Sequence, residues 1–217
     1  MNLKLNSTFL IFILTLQSLT LLGQGKTETF YANDQLKFSG WQDQNGKQGE
    51  WKYYYPSGKI NAIENFKNGE LFGVSISYNE NGIVQSKEHW RNDLQVDSAF
   101  FYYDTGQLKR AGKFDEGLYS GVWLSYYENG QLKSEGTYAN GLPHGSWLVY
   151  AEDGVLTQKG NYHFGREDGY WEFYDAEGRL NYSGKYKNGK EVGEWFEYSK
   201  KGKKKLFFDY GEEGSTD

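Results

Sequence analysis

The chain has 217 residues, 37% of them apolar and 18% aromatic, with 28 glycines and no cysteine. Disulfides and thiolate metal sites are therefore excluded, and long helices are disfavoured because glycine interrupts every stretch. The 24 basic and 29 acidic side chains leave a net charge of −5, which argues against general nucleic-acid binding.

Residues 1–25 differ in composition from everything after them. Lys4 is their only charged side chain, Phe9 to Leu22 is an apolar run broken by Thr15, Gln17, Ser18 and Thr20, and the small residues Gly23 and Gly25 follow. This pattern predicts a secretory signal peptide cleaved near Gly23–Gly25. The competing reading, an uncleaved anchor, meets a run short of the roughly 20 residues a membrane span needs. The expected destination is the periplasm, the outer membrane or the exterior, and the mature chain is one charge more negative.

From Gly25 onward the chain repeats every 24 residues. Glycine recurs at Gly25, Gly49, Gly73, Gly121, Gly145, Gly169 and Gly193, with Asp97 the one departure. Five residues after each position stands Phe30, Tyr54, Tyr78, Tyr102, Tyr126, Tyr150, Tyr174 or Tyr198. A fixed period of this size signals an array of small units that contact only their neighbours.

Each unit holds two turn signals. In the unit starting at Gly121 they are Asn129-Gly130 and Asn140-Gly141, and the other units carry equivalents such as Asp153-Gly154 and Asn188-Gly189. Asn-Gly favours two-residue hairpin loops, because both central residues take positive φ. The chain is therefore predicted to be all-β. It would form an elongated, open, twisted single-sheet meander of seven or eight hairpin units over residues 26–210. Sixteen strands at about 4.8 Å spacing would extend roughly 75 Å. With two-residue loops Trp123 faces Gly136 and Tyr138 faces Gly121, and the same pairing recurs as Trp147 with Gly160, Tyr162 with Gly145, Trp171 with Gly184 and Tyr186 with Gly169. Each aromatic then has room over a glycine.

Alternation predicts one aromatic-aliphatic face and one mostly wet face. The first would carry Trp51, Trp123, Trp147, Trp171 and Trp195, the apolar row Ile60, Val84, Leu108, Leu132, Leu156 and Leu180, and the aromatic row Phe66, Trp90, Phe114, Tyr138, Tyr162 and Tyr186. The second would carry the Tyr row beside Asn61, Gln85, Lys109, Lys133, Thr157 and Asn181. A bulge would flip part of this assignment.

The motif Gly-x-Trp-x-x-Tyr, followed by Gly four residues on and then x-Leu, resembles the MORN repeat family, and most of all its bacterial variant, whose members are often described as antitoxin-like. The resemblance extends over about Gly25 to Tyr210. It is clearest in Gly121–Asn140, Gly145–Gly165 and Gly169–Gly189, and weakest in the first unit and where Ser75 and Ala99 stand for Trp and Asp97 for Gly. It implies a string of β-hairpins used for protein contacts and, in some members, for association with membranes or phospholipids.

Chemistry-bearing motifs are sparse. His89, His144 and His163 fall at three different repeat positions, whereas a metal site built by repetition would reuse one. The carboxylates cluster at turns without the spacing of a calcium loop. No nucleophile elbow, zinc-protease motif or phosphate loop occurs, so neither an enzyme nor a cofactor is expected. The run Lys200, Lys201, Lys203, Lys204 and Lys205 suits a protected sheet edge, and Gly211–Asp217 reads as a disordered tail. The remaining binding candidates are the aromatic stripes: Trp51, Trp90, Trp123, Trp147, Trp171 and Trp195, with Tyr54, Tyr126, Tyr150 and Tyr174. Stacking on sugars or caging a cationic headgroup would use them; packing of the fold's own units would use them too. The leading expectation is an exported, non-enzymatic scaffold contacting a protein partner at the cell envelope. The alternatives are an aromatic module for envelope glycans or phospholipid headgroups, and an antitoxin-like sequestering protein. Where the pattern breaks, at Ser75, His89, Trp90, Asp97 and Ala99, specificity is expected to sit.

Overall fold

A computed structural model describes residues 25–212. The predicted leader lies outside the described residues except for Gly25, which opens the first strand, Gly25–Phe30. Of the predicted tail, only Gly211 and Glu212 fall within them.

The described chain is all-β, with 17 strands in one open antiparallel sheet. Strand after strand pairs with its sequence neighbour, from Gly25–Phe30 against Leu36–Asp43 to Lys190–Tyr198 against Lys204–Asp209. Sixteen strands become 17 because Asp168 interrupts one, leaving Arg166–Glu167 and Gly169–Tyr174 both paired with Leu156–His163.

The second turn of each unit has the predicted form. Asn140 (φ 51°) and Gly141 (φ 79°) are the two loop residues between the paired Ala139 and Leu142. The first turn does not. Tyr127 N–H donates to the Gln131 carbonyl (2.8 Å) and Gly130 N–H to the Tyr127 carbonyl (2.9 Å), so three residues, Glu128 to Gly130, form the loop. Beyond it Tyr126 pairs with Leu132 but Ser125 pairs with Ser134, which leaves Lys133 as a bulge. Lys37, Asn61, Gln85, Lys109, Thr157 and Asn181 are the same bulge in other units. The extra loop residue and the bulge cancel, so Trp123 still pairs with Gly136 and Tyr138 with Gly121, as the sequence predicts.

The bulge corrects the faces. Cross-strand partners share a face, so the row Ile60, Val84, Leu108, Leu132, Leu156 and Leu180 lies with Tyr54, Tyr78, Tyr102, Tyr126, Tyr150 and Tyr174, not with the tryptophans. The predicted wet face is thus a Tyr–aliphatic face.

The role expected for Gly121 changes as well. A side-chain carbon built there meets nothing within 4 Å, so it is not clearing room for Tyr138. It holds a left-handed conformation (φ 65°) where its strand slips two residues against Leu108–Asp115. Asp97 takes the same conformation (φ 56°) at the same step of the repeat, a region that Asp tolerates better than most non-glycine residues.

Candidate functional site

Four of the six candidate tryptophans are buried: Trp51, Trp123, Trp171 and Trp195 are 1%, 3%, 2% and 5% exposed. Their rings lie over the glycine of the preceding unit, even where, as for Trp123 and Trp171, a glycine is also paired with them in their own hairpin; Trp51 and Trp195 pair there with Glu64 and Phe208. A carbon added to Gly40, Gly112, Gly160 or Gly184 would sit 2.1–2.2 Å from the ring of Trp51, Trp123, Trp171 or Trp195. Each indole N–H also reaches back ten residues, Trp51 to the Trp41 carbonyl (3.0 Å), Trp123 to Lys113 (3.0 Å), Trp171 to Asn161 (3.2 Å) and Trp195 to Lys185 (3.3 Å). Tyrosines and phenylalanines fill the gaps edge-on, as Tyr162 does between Trp147 and Trp171 (ring centroids 5.2 and 5.3 Å). Each such ring removes enough apolar area from water to contribute roughly 4 kcal/mol. Trp147 is half-buried and turned, with its six-membered ring rather than its pyrrole edge against Gly136.

The Tyr candidates are half-buried. Their backbone, more than their rings, is engaged by residues the sequence reading passed over. Tyr31, Tyr55, Tyr103 and Tyr127 each donate their hydroxyl to a carbonyl 23 residues on, those of Tyr54, Tyr78, Tyr126 and Tyr150, at 2.7–2.9 Å. The signal was visible as the second Tyr of Tyr54-Tyr55, Tyr102-Tyr103 and Tyr126-Tyr127. Tyr174 donates to Glu172 (3.0 Å), and burial followed by that carboxylate pushes its phenol up to about 12. Burial, then Glu167, does the same for Tyr162, and burial, then Glu191, for Tyr186. These phenols stay neutral and keep donating well above neutral pH.

Where the pattern breaks, the packing is inverted. Ser75 and Ala99 occupy the Trp position, and the glycine position one strand earlier is occupied by Glu64 and Glu88. A small residue where Trp is expected is matched by a large one where Gly is expected. The exchange leaves a cavity of about 90 Å³ among Glu64, Ser75, Ser77, Ser86, Glu88 and Trp90. The Ser75 hydroxyl and Trp90 indole nitrogen are buried there without a hydrogen-bond partner. His89 and Asp97 flank this region: His89 Nδ1 donates to the Ser98 carbonyl (2.8 Å).

One long edge of the sheet carries an apolar ridge. Leu94, Leu118 and Leu142, one period apart, are 46%, 49% and 46% exposed, and Phe164 beyond them is 49% exposed. Each Leu leans on the next turn: a carbon added to Gly117, Gly141 or Gly165 would lie 3.7, 3.3 or 3.7 Å from Leu94, Leu118 or Leu142 Cδ2. The same repeat position is Glu70 before the ridge and Arg166 and Lys190 after it, so charge bounds it at both ends. Among the described residues no three His, Asp or Glu side chains converge where a metal ion would sit.

Comparison with known proteins supports the repeat assignment. No curated protein matches the sequence. Among solved structures, similar stretches occur in the crystal structure of TcdB2-TccC3-Cdc42 (15% identity, TM-score 0.22, covering 79% of this chain and 12% of that one). Another is a porin-like protein from Bacteroides uniformis (11% identity, TM-score 0.20, covering 84% and 92%). The chain spans about an eighth of the length of the first. A family model described as MORN repeat variant matches residues 47–68, 73–92, 119–140 and 143–163. Those four matches share the 24-residue period and the hairpin geometry of the units around them, and between residues 47 and 163 the chain carries four MORN repeats of the variant type.

Proposed function

We propose that this protein is an exported, non-enzymatic scaffold at the cell envelope that holds a protein partner along one edge of its sheet. The observation that carries the reading is the ridge of Leu94, Leu118, Leu142 and Phe164, which stays exposed while the recurrent tryptophans are used up in packing. A contiguous apolar row with charged ends is the kind of surface that marks protein contacts. Export rests on the apolar leader-like composition of residues 1–25. Absence of turnover is the expectation for a family of repeat scaffolds, in which site chemistry rather than fold would have to argue for an enzyme.

The test is crosslinking of the native envelope fraction with the wild-type protein and with a Leu94→Gln/Leu118→Gln/Leu142→Gln variant. Exposed positions tolerate these changes, so the variant should keep its β-sheet spectrum and thermal midpoint. The reading expects a defined crosslinked species that the variant loses. An identical crosslinking pattern from both proteins, or recovery of the chain only from the cytoplasm, would sink it.

A further inference from the structure

We infer that the cleft around Arg110 is a binding site for a small phosphorylated ligand, a sugar phosphate in size and charge, separate from the apolar ridge. The cleft has a volume of about 470 Å³, within the range of small-molecule sites. Its walls include Phe101, Tyr103, Lys109, Arg110, Ser125 and Lys133. Three of these are cations and no carboxylate lines the space, in a protein whose net charge is negative.

The arrangement follows from the repeat. Lys109 and Lys133 are the bulge residues of consecutive units, set two strands apart, about 10 Å at ordinary strand spacing. Arg110 follows the first bulge, at a position where the other units have Phe38, Ala62, Ser86, Ser134, Gln158, Tyr182 and Leu206. It is the single cation in that row. Ser125 on the neighbouring strand and Ser134 on the strand beyond it are small and leave the space in front of it open.

The three cations are fixed by rings, not by anions. The Arg110 guanidinium lies 4.7 Å from the Phe101 ring, 5.2 Å from Trp123 and 5.4 Å from Tyr119. Lys109 Nζ sits 5.3 Å over Tyr103 and Lys133 Nζ 5.3 Å over Tyr127. Ion pairs among the described residues engage Lys26, Lys52, Lys159, Arg179 and Lys205, and none of these three. Glu128, on the turn beside the cleft, instead accepts from the Thr105 hydroxyl (3.2 Å).

A guanidinium held against aromatic faces keeps its N–H donors at its in-plane edge, where they match an oxyanion two at a time. Two ammonium groups on flexible stems then reach the remaining oxygens as point charges. Three cations suit a phosphomonoester dianion better than a single carboxylate, and the serine hydroxyls offer hydrogen bonds to the rest of a polar ligand.

Calorimetric titration of the full-length protein with ribose phosphate tests this, with ribose, glucuronate and phosphatidic acid vesicles as comparison ligands. Saturable one-site binding of ribose phosphate is expected, with none for ribose. Arg110→Met, which keeps the apolar stem but removes the donors, should weaken binding at least tenfold. Because Arg110 also packs, a second variant, Lys109→Gln/Lys133→Gln, changes only exposed side chains. It should weaken binding about tenfold with an unchanged thermal midpoint. No saturable binding, affinity unaltered in both variants, glucuronate binding as tightly as ribose phosphate, or binding to the vesicles alone would each overturn the assignment.

Discussion

The units from Gly112 to Trp195 and the units from Glu64 to Ala99 solve one packing problem in opposite ways. In the first group a tryptophan lies on a bare glycine backbone, and Trp123, Trp171 and Trp195 spend their N–H on a neighbouring carbonyl. In the second, Ser75 and Ala99 face Glu64 and Glu88, and no tryptophan stands at the position that covers the preceding strand. The backbone register is the same in both, with Ser75 opposite Glu88 and Ala99 opposite Gly112 as the repeat requires. Strand pairing and turn geometry therefore set the sheet, and the Trp–Gly contact adds stability without being needed for each unit to form. The second group exchanges that contact for a small cavity in the middle of the array, lined by Ala62, Leu71 and Ile76 as well as by the serines and glutamates.

The sharpest way to break the comparison is to deny a tryptophan its glycine. Gly160→Ala places a carbon 2.1 Å from the Trp171 ring, and a buried ring between Tyr162 and Tyr186 has nowhere to go without displacing them in turn. Overpacking of this kind costs about 3 kcal/mol, and an unfolding free energy from urea titration that falls by that amount is the expected result. If Gly160→Ala unfolds like the wild type, the glycine is not there for the ring.

The next experiment converts one solution into the other. Ser75→Trp alone should destabilise by about 2 kcal/mol, less than the glycine change because the Glu64 side chain is flexible and reaches solvent when pushed. Adding Glu64→Gly should restore most of the loss, with a coupling of about 1–2 kcal/mol in the double-mutant cycle. Additive effects from the two substitutions would show that size exchange between these positions is incidental.

Much of this architecture was legible in the sequence, and the part that was not has a specific cause. Turn residues such as Asn140-Gly141 and the Trp and Gly spacing fixed the central register, so the pairs Trp123–Gly136 and Trp171–Gly184 were readable in advance. Near the first turn the same reasoning misplaced Leu132. A three-residue loop plus a one-residue bulge restores the register that a two-residue loop would give, and both loops end in Asn-Gly. The bulge leaves no compositional mark either: Asn61, Lys133 and Thr157 share only polarity. Register also leaves open which neighbour an aromatic covers, since Trp123 stands between Gly112 and Gly136 and the ring takes the former. The Arg110 cleft was hidden for the opposite reason. A search for recurrent residues passes over a side chain that occurs once, and its meaning comes only from the rings and bulges that surround it.

The smallest effect concerns the link between units that both groups share. Tyr55 donates to Tyr78 in the irregular region and Tyr127 to Tyr150 in the regular one, at 2.7 and 2.9 Å. A Tyr→Phe change at either position leaves the ring and removes one hydrogen bond to a carbonyl, worth about 1 kcal/mol. If strand pairing and these tyrosines carry the array equally everywhere, Tyr55→Phe and Tyr127→Phe should lower stability by the same amount. If the Trp–Gly contacts buffer their neighbours, Tyr55→Phe should cost more, because the unit it reaches is the one with Ser75 in place of Trp. Hydrogen exchange of the amides in Glu70–Tyr78 and in Leu142–Tyr150 would separate the cases. Faster exchange confined to the first segment identifies the break as the weakest link of the array, since local opening follows the stability of each unit and its two interfaces.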